Sequence, residues 1–396
     1  MSAAPHRRWL LTLAGLSALA TLSTNILLPA LPVMARTLDA DPARMTAAVM
    51  GVFLAVFALA QLIVGPLSDR IGRRPVVLGG LAVFVAGTLM CAAADGLALL
   101  LAGRAVQAAG AAAASVLARA VARDRFEGPP LAALLGRIMV VMAAAPGFSP
   151  LLGGLVLAGW GWRALFIALV LAGAALGLAY ARLVGETLPT DRRRRQPMAQ
   201  LARGYLALLA DARFVRPALA TAAILGALFA YFGAAPLVLA RDHGFSALQV
   251  GLFFAATVFV VFAAGQTAPR WSARWGSPTV LRLGAALATL GGITLLATGS
   301  MGLGAFAAAS CLFLFGMGLV SPTGTALALT PYAAQAGQAS ALLGFLQMAA
   351  AAVLTTLATT LPGSRLAVLG LVLAGGGLLA LLSAGRKPAT AMPDPQ

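Results

Sequence analysis

Apolar runs of about twenty residues recur down the whole length of this chain, and no other feature limits its fold so much. They lie near 9–33, 46–66, 75–94, 97–118, 131–158 and 163–183, and again near 215–239, 247–268, 279–298, 302–327, 338–360 and 366–384. A helix of ~20 apolar residues crosses the ~30 Å hydrocarbon core of a bilayer. Inside lipid the backbone has no water to bond, so each run must be helical. The sequence therefore predicts an all-α integral membrane protein with twelve transmembrane helices. Composition agrees, with 61% of residues hydrophobic and only 10% charged. Soluble domains are closer to half and a quarter, and no water-facing fold could cover this much apolar surface.

Six runs precede a polar segment and six follow it. The predicted organisation is an N-terminal bundle over 1–184, a cytoplasmic linker over 185–213 carrying Arg192 to Arg195, and a C-terminal bundle over 214–396 with a short cytoplasmic tail. A net charge of +17 invites a nucleic-acid reading. The basic residues, however, sit in short loops between apolar runs and form no single basic face. Sorted with the N-terminus inside, most fall on the inner side; Arg36, Arg44, Arg163, Arg241 and Arg365 fall outside, and Arg104 lies within a span. That bias sets both termini and the linker in the cytoplasm. His6-Arg7-Arg8 and the run after it could open a cleaved signal, but the run is long and shows no small-residue cleavage site, which favours an uncleaved first span. Cys91 and Cys311 lie in separate apolar runs and read as free packing residues.

The halves also repeat. Gly65-Pro-Leu-Ser-Asp-Arg70-Ile-Gly-Arg-Arg74 follows span two, and Gly265-Gln-Thr-Ala-Pro-Arg270-Trp-Ser-Ala-Arg274 follows span eight. Many transporters use duplicated halves to place a site between two bundles near the membrane midplane. The first of these segments, extended to Leu78, resembles the signature loop of the major facilitator superfamily. The resemblance implies that family's fold, twelve transmembrane helices as two pseudo-symmetric six-helix bundles, commonly monomeric. It also implies a latch between the halves, with Asp69 and Arg73 as gate residues beside Gly65, Arg70, Gly72 and Arg74. Gly65 and Gly72 suit a tight turn and close helix approach. Asp69 can sit at a helix N-terminus or pair with an arginine. Topology alone accounts for Arg70 and Arg74 but leaves Asp69 unexplained.

Other stretches resemble one branch, the drug:proton antiporters related to bicyclomycin- and chloramphenicol-resistance proteins of the bacterial inner membrane. Thr24-Asn-Ile-Leu-Leu-Pro-Ala-Leu-Pro32 is similar to its first span, Ala145-Pro-Gly-Phe-Ser-Pro-Leu-Leu-Gly-Gly154 to its fifth, Phe229-Ala-Tyr-Phe-Gly-Ala-Ala-Pro236 to its seventh and Gly337-Gln-Ala-Ser-Ala-Leu-Leu-Gly-Phe-Leu-Gln347 to its eleventh. Pro146 and Pro150 remove backbone donors, so span five should bend. Gly153 and Gly154, with the Ala-rich face of span four, allow close packing. In the family this motif goes with antiport; ordinary small-residue packing explains the residues equally well.

Arg104, in Leu100-Leu-Ala-Gly-Arg-Ala-Val-Gln107, resembles the family's span-four arginine, associated with proton transfer and substrate. A charge in mid-membrane costs several kcal/mol, so it usually faces a cavity; a snorkelling or structurally paired arginine is the bland alternative. Gln107, three residues on, shares its face. The branch typically carries an aspartate in span one where this chain has Asn25. Every acid of the sequence falls in a loop or at a helix end, leaving no carboxylate in the membrane core, and an amide cannot exchange a proton. Counting ~1.5 Å per residue puts Asn25 and Arg104 in one layer about 12 Å from the outer face. An arginine there without a carboxylate should favour an anionic or strongly polar substrate.

Gln61, Met139, Met142, Tyr231, Phe232, Phe253, Phe254 and Gln347 complete the candidate cavity wall, a flexible aromatic and Met-rich lining. Aromatic and methionine residues in apolar helices also serve as plain packing, whereas Gln61 and Gln347 would be costly facing lipid. No Gly-x-x-x-x-Gly-Lys-Ser/Thr loop is present, so active transport would draw on a gradient. The expected function is export of small, drug-like molecules by alternating access, coupled to protons. The alternative is exchange or facilitated flux of a polar or anionic metabolite without proton coupling. No enzymatic activity, cofactor, metal or nucleic-acid partner is expected.

Overall fold

The computed structural model describes residues 3–126, 128–193, 198–298 and 301–385, and every long element in it is a helix. In chain order these are α1 (Ala3–Asn25), α2 (Leu31–Thr37), α3 (Pro42–Ile71), α4 (Arg73–Ala92), α5 (Leu97–Arg125), α6 (Gly128–Trp160) and α7 (Trp162–Leu183). After α8 (Met198–Ala210) come α9 (Ala212–Asp242), α10 (Ala247–Trp275), α11 (Ser277–Thr298), α12 (Leu303–Leu329), α13 (Ala336–Thr360) and α14 (Arg365–Ser383). Eleven stretches among the described residues are long and apolar enough to cross a membrane, and the 33-residue α6 is the twelfth span. Spans one to six are α1 with α2, then α3 to α7; spans seven to twelve are α9 to α14. The chain is a multi-pass membrane protein of two six-helix bundles.

Span one departs from a simple helix. Pro29 lacks an N–H, and its ring would press on the carbonyl of residue 25, so α1 stops at Asn25. A 3-10 turn, Leu28–Ala30, then leads into α2. At the other end of the next helix, the signature loop is a one-residue turn. α3 runs on through Asp69 and Arg70 to Ile71, and Gly72 at φ +108° starts α4 directly. Only Gly72 is a glycine of need here, because a side chain at Gly65 would meet nothing within 4 Å. The expected close helix approach at Gly65 is thus absent.

The packing pattern repeats between halves. Spans three and four, two and four, three and six, and one and five pack in the first bundle; nine and ten, eight and ten, nine and twelve, and seven and eleven pack in the second. Small residues set the tightest of these contacts. A Cβ at Gly110 of α5 would collide with the backbone of Phe84 and Gly80 on α4, and one at Gly316 of α12 with Gly284 and Ala288 on α11. The Ala-rich face of span four therefore meets span three. Gly153 of span five instead rests on the Ile26 carbonyl and Pro29, at the break in span one. The pairing of that glycine with span four, expected from the sequence, is corrected: the proline-broken segment offers a backbone groove that the smallest residue fills.

Two seams join the halves, α3 with α13 and α6 with α10, spans two with eleven and five with eight. The polar segment between the halves is not all loop, since it contains α8. Leu201, Tyr205 and Leu208 fall at i, i+4 and i+7 of that helix and make its inward face. Leu208 packs with Phe214, Leu342 and Leu343 of the second half, and the Tyr205 hydroxyl donates to the Leu62 carbonyl of the first at 3.2 Å.

Candidate functional site

Arg104 stands seven residues into α5 and is 0% exposed. Its Nη1 donates to Gln107 Oε1 at 2.6 Å and to the Ser23 carbonyl at 3.2 Å, and its Nε to the Val49 carbonyl at 3.4 Å. The guanidinium carbon lies 4.2 Å from the Phe53 ring centre, a distance at which the ring face attracts a cation. Gln107 passes the network on, donating from Nε2 to the Thr88 hydroxyl at 2.9 Å. The Ser23 carbonyl belongs to the last turn of α1, whose carbonyls lack helical partners and carry the negative end of the helix dipole. The broken first span thereby gives the arginine a counter-dipole where a carboxylate is missing. Arg104 Nη2 remains without a partner.

Asn25 closes α1 two residues past Ser23, fully buried, with neither amide atom hydrogen-bonded. Span one and span four thus meet at one level, through Ser23 and not through Asn25 itself. Gln61 is buried on α3 with its Nε2 unpartnered, and its Oε1 lies against Gly344 of α13, across the seam between halves. Gln347 is half-buried one turn further along α13.

Tyr231 and Phe232 of α9 and Phe253 and Phe254 of α10 pack on one another, with Tyr231–Phe254 centres 5.6 Å apart and Phe232–Phe254 5.4 Å. Phe306 and Phe313 of α12 complete the cluster, 5.9 Å from Phe253 and 6.5 Å from Tyr231. Sequence reading missed both. Their spacing of seven, which puts them on one helix face, was the available signal. The Tyr231 hydroxyl makes no hydrogen bond of normal geometry, although Ser310 is its polar neighbour. The side chains of Met139, Met142 and Pro146 lie outside the described residues; the backbone of α6 is helical through Pro146 and Pro150 alike.

The signature-loop residues form a clasp within the first half. Arg73 bonds Asp69 on α3, the Ser68 hydroxyl at 2.6 Å, and Asp124 Oδ2 on α5 at 2.9 Å. Among the described residues, no ion pair joins these groups to the second half. Glu186, just after α7, caps α4 by accepting from the Arg73 and Arg74 backbone N–H groups at 3.0 and 3.2 Å. Burial alone would raise its pKa, but bonds from Leu188, Arg73, Arg74 and Thr187 outweigh that and hold the carboxyl below its ordinary range. Asp211, the N-cap of α9, is lowered to about 2 by the Tyr332 hydroxyl and the Arg213 backbone and side chain.

A depressed carboxyl pKa stabilises the fold above the ordinary carboxylate value and loses that effect as pH falls through the folded value. Glu186→Gln should therefore melt earlier at neutral pH by the worth of a capping interaction, about 1 kcal/mol, and the difference from wild type should vanish in acid. Melting in detergent across pH 3 to 7 checks this; equal melting curves at neutral pH would remove the cap from the account.

A cavity of 390 Å³ opens between the halves on the side of this clasp, lined from α3, α5, α8 and α13. Asp69, Arg70, Arg73, Arg119, Arg123 and Asp124 face it. Arg119, Arg123 and Asp124 were outside the sequence-based site, although their spacing along α5 places them near one face. At the opposite end the seams close: a Cβ on Gly251 of α10 would meet Leu151 Cα at 2.6 Å, and one on Gly51 of α3 would meet the Thr356 hydroxyl of α13 at 3.1 Å.

Comparison with known proteins adds relatives. The profile described as Major Facilitator Superfamily matches residues 13–356. Multidrug resistance protein D of Escherichia coli is 30% identical over 376 residues, 94% of each chain. The chloramphenicol resistance protein of Pseudomonas aeruginosa is 33% identical over 290 residues, 73% of this chain and 68% of that one. The crystal structure of the human organic anion transporter MFSD10 shares the fold, with a TM-score of 0.73 over 96% of this chain and 99% of its own, at 20% identity.

Proposed function

The chain belongs to the major facilitator superfamily, and on that premise we propose that it exports small drug-like molecules by alternating access, driven by protons moving inward. The observation that carries this reading is the 30% identity to a multidrug resistance protein over 94% of both chains. In this reading the membrane is the bacterial inner membrane, both termini are cytoplasmic, and the protein works as a monomer. Residues 1–184 and 214–396 move as two bodies joined by 185–213.

A cavity open at one end, with small-residue seams closed at the other, is what one extreme of a rocking cycle requires. Rocking the other way would open the seam end and expose the polar layer. Asn25, Gln61, Arg104, Gln107 and Gln347 then offer donors and acceptors, and Tyr231, Phe232 and Phe253 supply an apolar wall, with Met139 and Met142 assigned to the same wall from sequence. The unpartnered atoms of Asn25, Gln61 and Arg104 favour a polar ligand, since buried polar groups are nearly always paired. Asp69, with Arg70, Arg73 and Arg74, controls the opening by holding or releasing α4 and α5 against α3. Gly65 lines the mouth of that opening, and Gly72 makes the turn it depends on. Pro146, Pro150, Gly153 and Gly154 let span five slide along the seams.

One observation favours the second reading, exchange of a polar or anionic metabolite without proton coupling. Among the described residues every carboxylate lies in a loop or within the end turn of a helix. Accumulation of cationic, neutral and anionic compounds in efflux-deficient cells separates the two. Export predicts a compound excluded by wild type, less excluded by Asp69→Ala, and restored to full accumulation by a protonophore. Flux that ignores the protonophore would leave the exchanger as the better account.

A further inference from the structure

The cavity on the clasp side carries more positive charge than it neutralises. Arg70, Arg73, Arg119 and Arg123 line it with Asp69 and Asp124. Both aspartates bond Arg73, and Asp124 also accepts from the Thr187 hydroxyl. Among the described residues no carboxylate stands within ion-pair distance of Arg70, Arg119 or Arg123. Arg119 and Arg123 are four apart on α5, so they stack on one face as a like-charge pair, an arrangement that opposes helix stability. Arg119 also sits six residues before the end of α5, about 9 Å in from the helix terminus. Arginines that only set topology would serve at the headgroup rim, facing water or lipid phosphate. These line the open cavity between the halves, whose protein walls focus the potential. Beside them lie the uncharged polar groups of Tyr205 and Gln338 and an apolar strip including Leu67 and Val116.

We propose that this cavity is a binding site for organic anions, gripping a carboxylate, sulfonate or phosphate between Arg119 and Arg123 with the apolar body against α3. It rests on the export reading above and names the substrate class that enters from this side. A guanidinium matches an oxyanion with two parallel hydrogen bonds, so a bound anion would relieve the repulsion between the two arginines.

Two xanthene dyes of similar body and opposite charge, carboxyfluorescein and rhodamine 6G, test it by fluorescence anisotropy on the purified full chain. Wild type should bind the anionic dye at least about tenfold more tightly than the cationic one, and raising salt from about 0.05 to 0.5 M should weaken only the former. Arg119→Gln with Arg123→Gln should weaken the anionic dye by about tenfold and the cationic dye by less than twofold. Arg119→Lys with Arg123→Lys, which keeps the charge, should retain most of the binding. If the glutamine variant does not fold, the salt dependence and competition by benzenesulfonate on wild type decide the matter. Equal affinities of wild type for both dyes, or undiminished anion binding in a folded glutamine variant, would overturn the proposal. Export of a neutral or cationic compound that persists without any anion binding sinks the anion site alone. Absence of both dye binding and export of any compound sinks the export reading with it.

Discussion

Arg104→Met is expected to abolish transport while leaving the protein folded. Methionine keeps the length and fills the space over Phe53, and it removes a charge whose insertion into the membrane core costs about 2.5–3.5 kcal/mol. Replacing buried charges by apolar groups of similar volume is often neutral or stabilising. The variant also leaves the Ser23 and Val49 carbonyls and Gln107 without their donor, at about 1–3 kcal/mol for each buried group left unpaired. The gain from removing the charge offsets part of these losses, so the melting temperature in detergent should fall by several degrees while the chain stays folded. Transport should fall at least about tenfold, because spans one, two and four meet through this guanidinium. Arg104→Lys should also fail, since an ammonium cannot reach the carbonyls of α1 and α3 together in a planar fork. Export at wild-type rate by a folded Arg104→Met chain would show that the arginine is a structural fixture.

Gly251→Leu should trap the carrier. The added side chain would run into the backbone at Pro150 and Leu151 on the facing helix, where no rotamer change can make room. Overpacking of this kind costs typically 1–3 kcal/mol. It acts only in the conformation that closes this seam, so it shifts the equilibrium toward the alternative state by about 5- to 150-fold. A cysteine placed at Ser340, in the clasp-side cavity, should then label more slowly with a maleimide. One placed at Thr359, which borders a recess at the other end, should label faster. Transport should drop in parallel, because a carrier held in one state turns over slowly. Unchanged labelling at both positions in a folded variant would refute the rocking seam.

Much of the architecture could be read from residue order. The runs of apolar residues gave the spans, and the signature loop pointed to Asp69 and Arg73, although the latch between halves expected of them is a clasp within the first half among the described residues. The candidate layer of Asn25 and Arg104 followed from counting residues along two helices, and Ser23 does meet Arg104 across them. Other parts were not legible. The linker looked polar because its arginines dominate the composition, hiding the three-residue apolar stripe of α8. Asp124 and Glu186 read as ordinary loop acids, since nothing local shows that they converge on Arg73 and the start of α4 from 51 and 113 residues away.

The sequence by itself determined the membrane environment, the number of spans and their division into halves. These follow from solvent preference and helix length, which are sums over local residues. What balances Arg104 was decided only by the tertiary structure. Its partners are the Ser23 carbonyl, at the end of α1 where the first span breaks, the Val49 carbonyl of α3, the Gln107 amide oxygen and the face of Phe53. A carbonyl belongs to every residue and appears in no composition, so only the path of the chain can say which ones point at a charge. The same holds for the cavity arginines Arg70, Arg119 and Arg123, which have no carboxylate at ion-pair distance among the described residues. Their charge is written in the sequence, but which neighbours stand beside them is a property of three-dimensional placement.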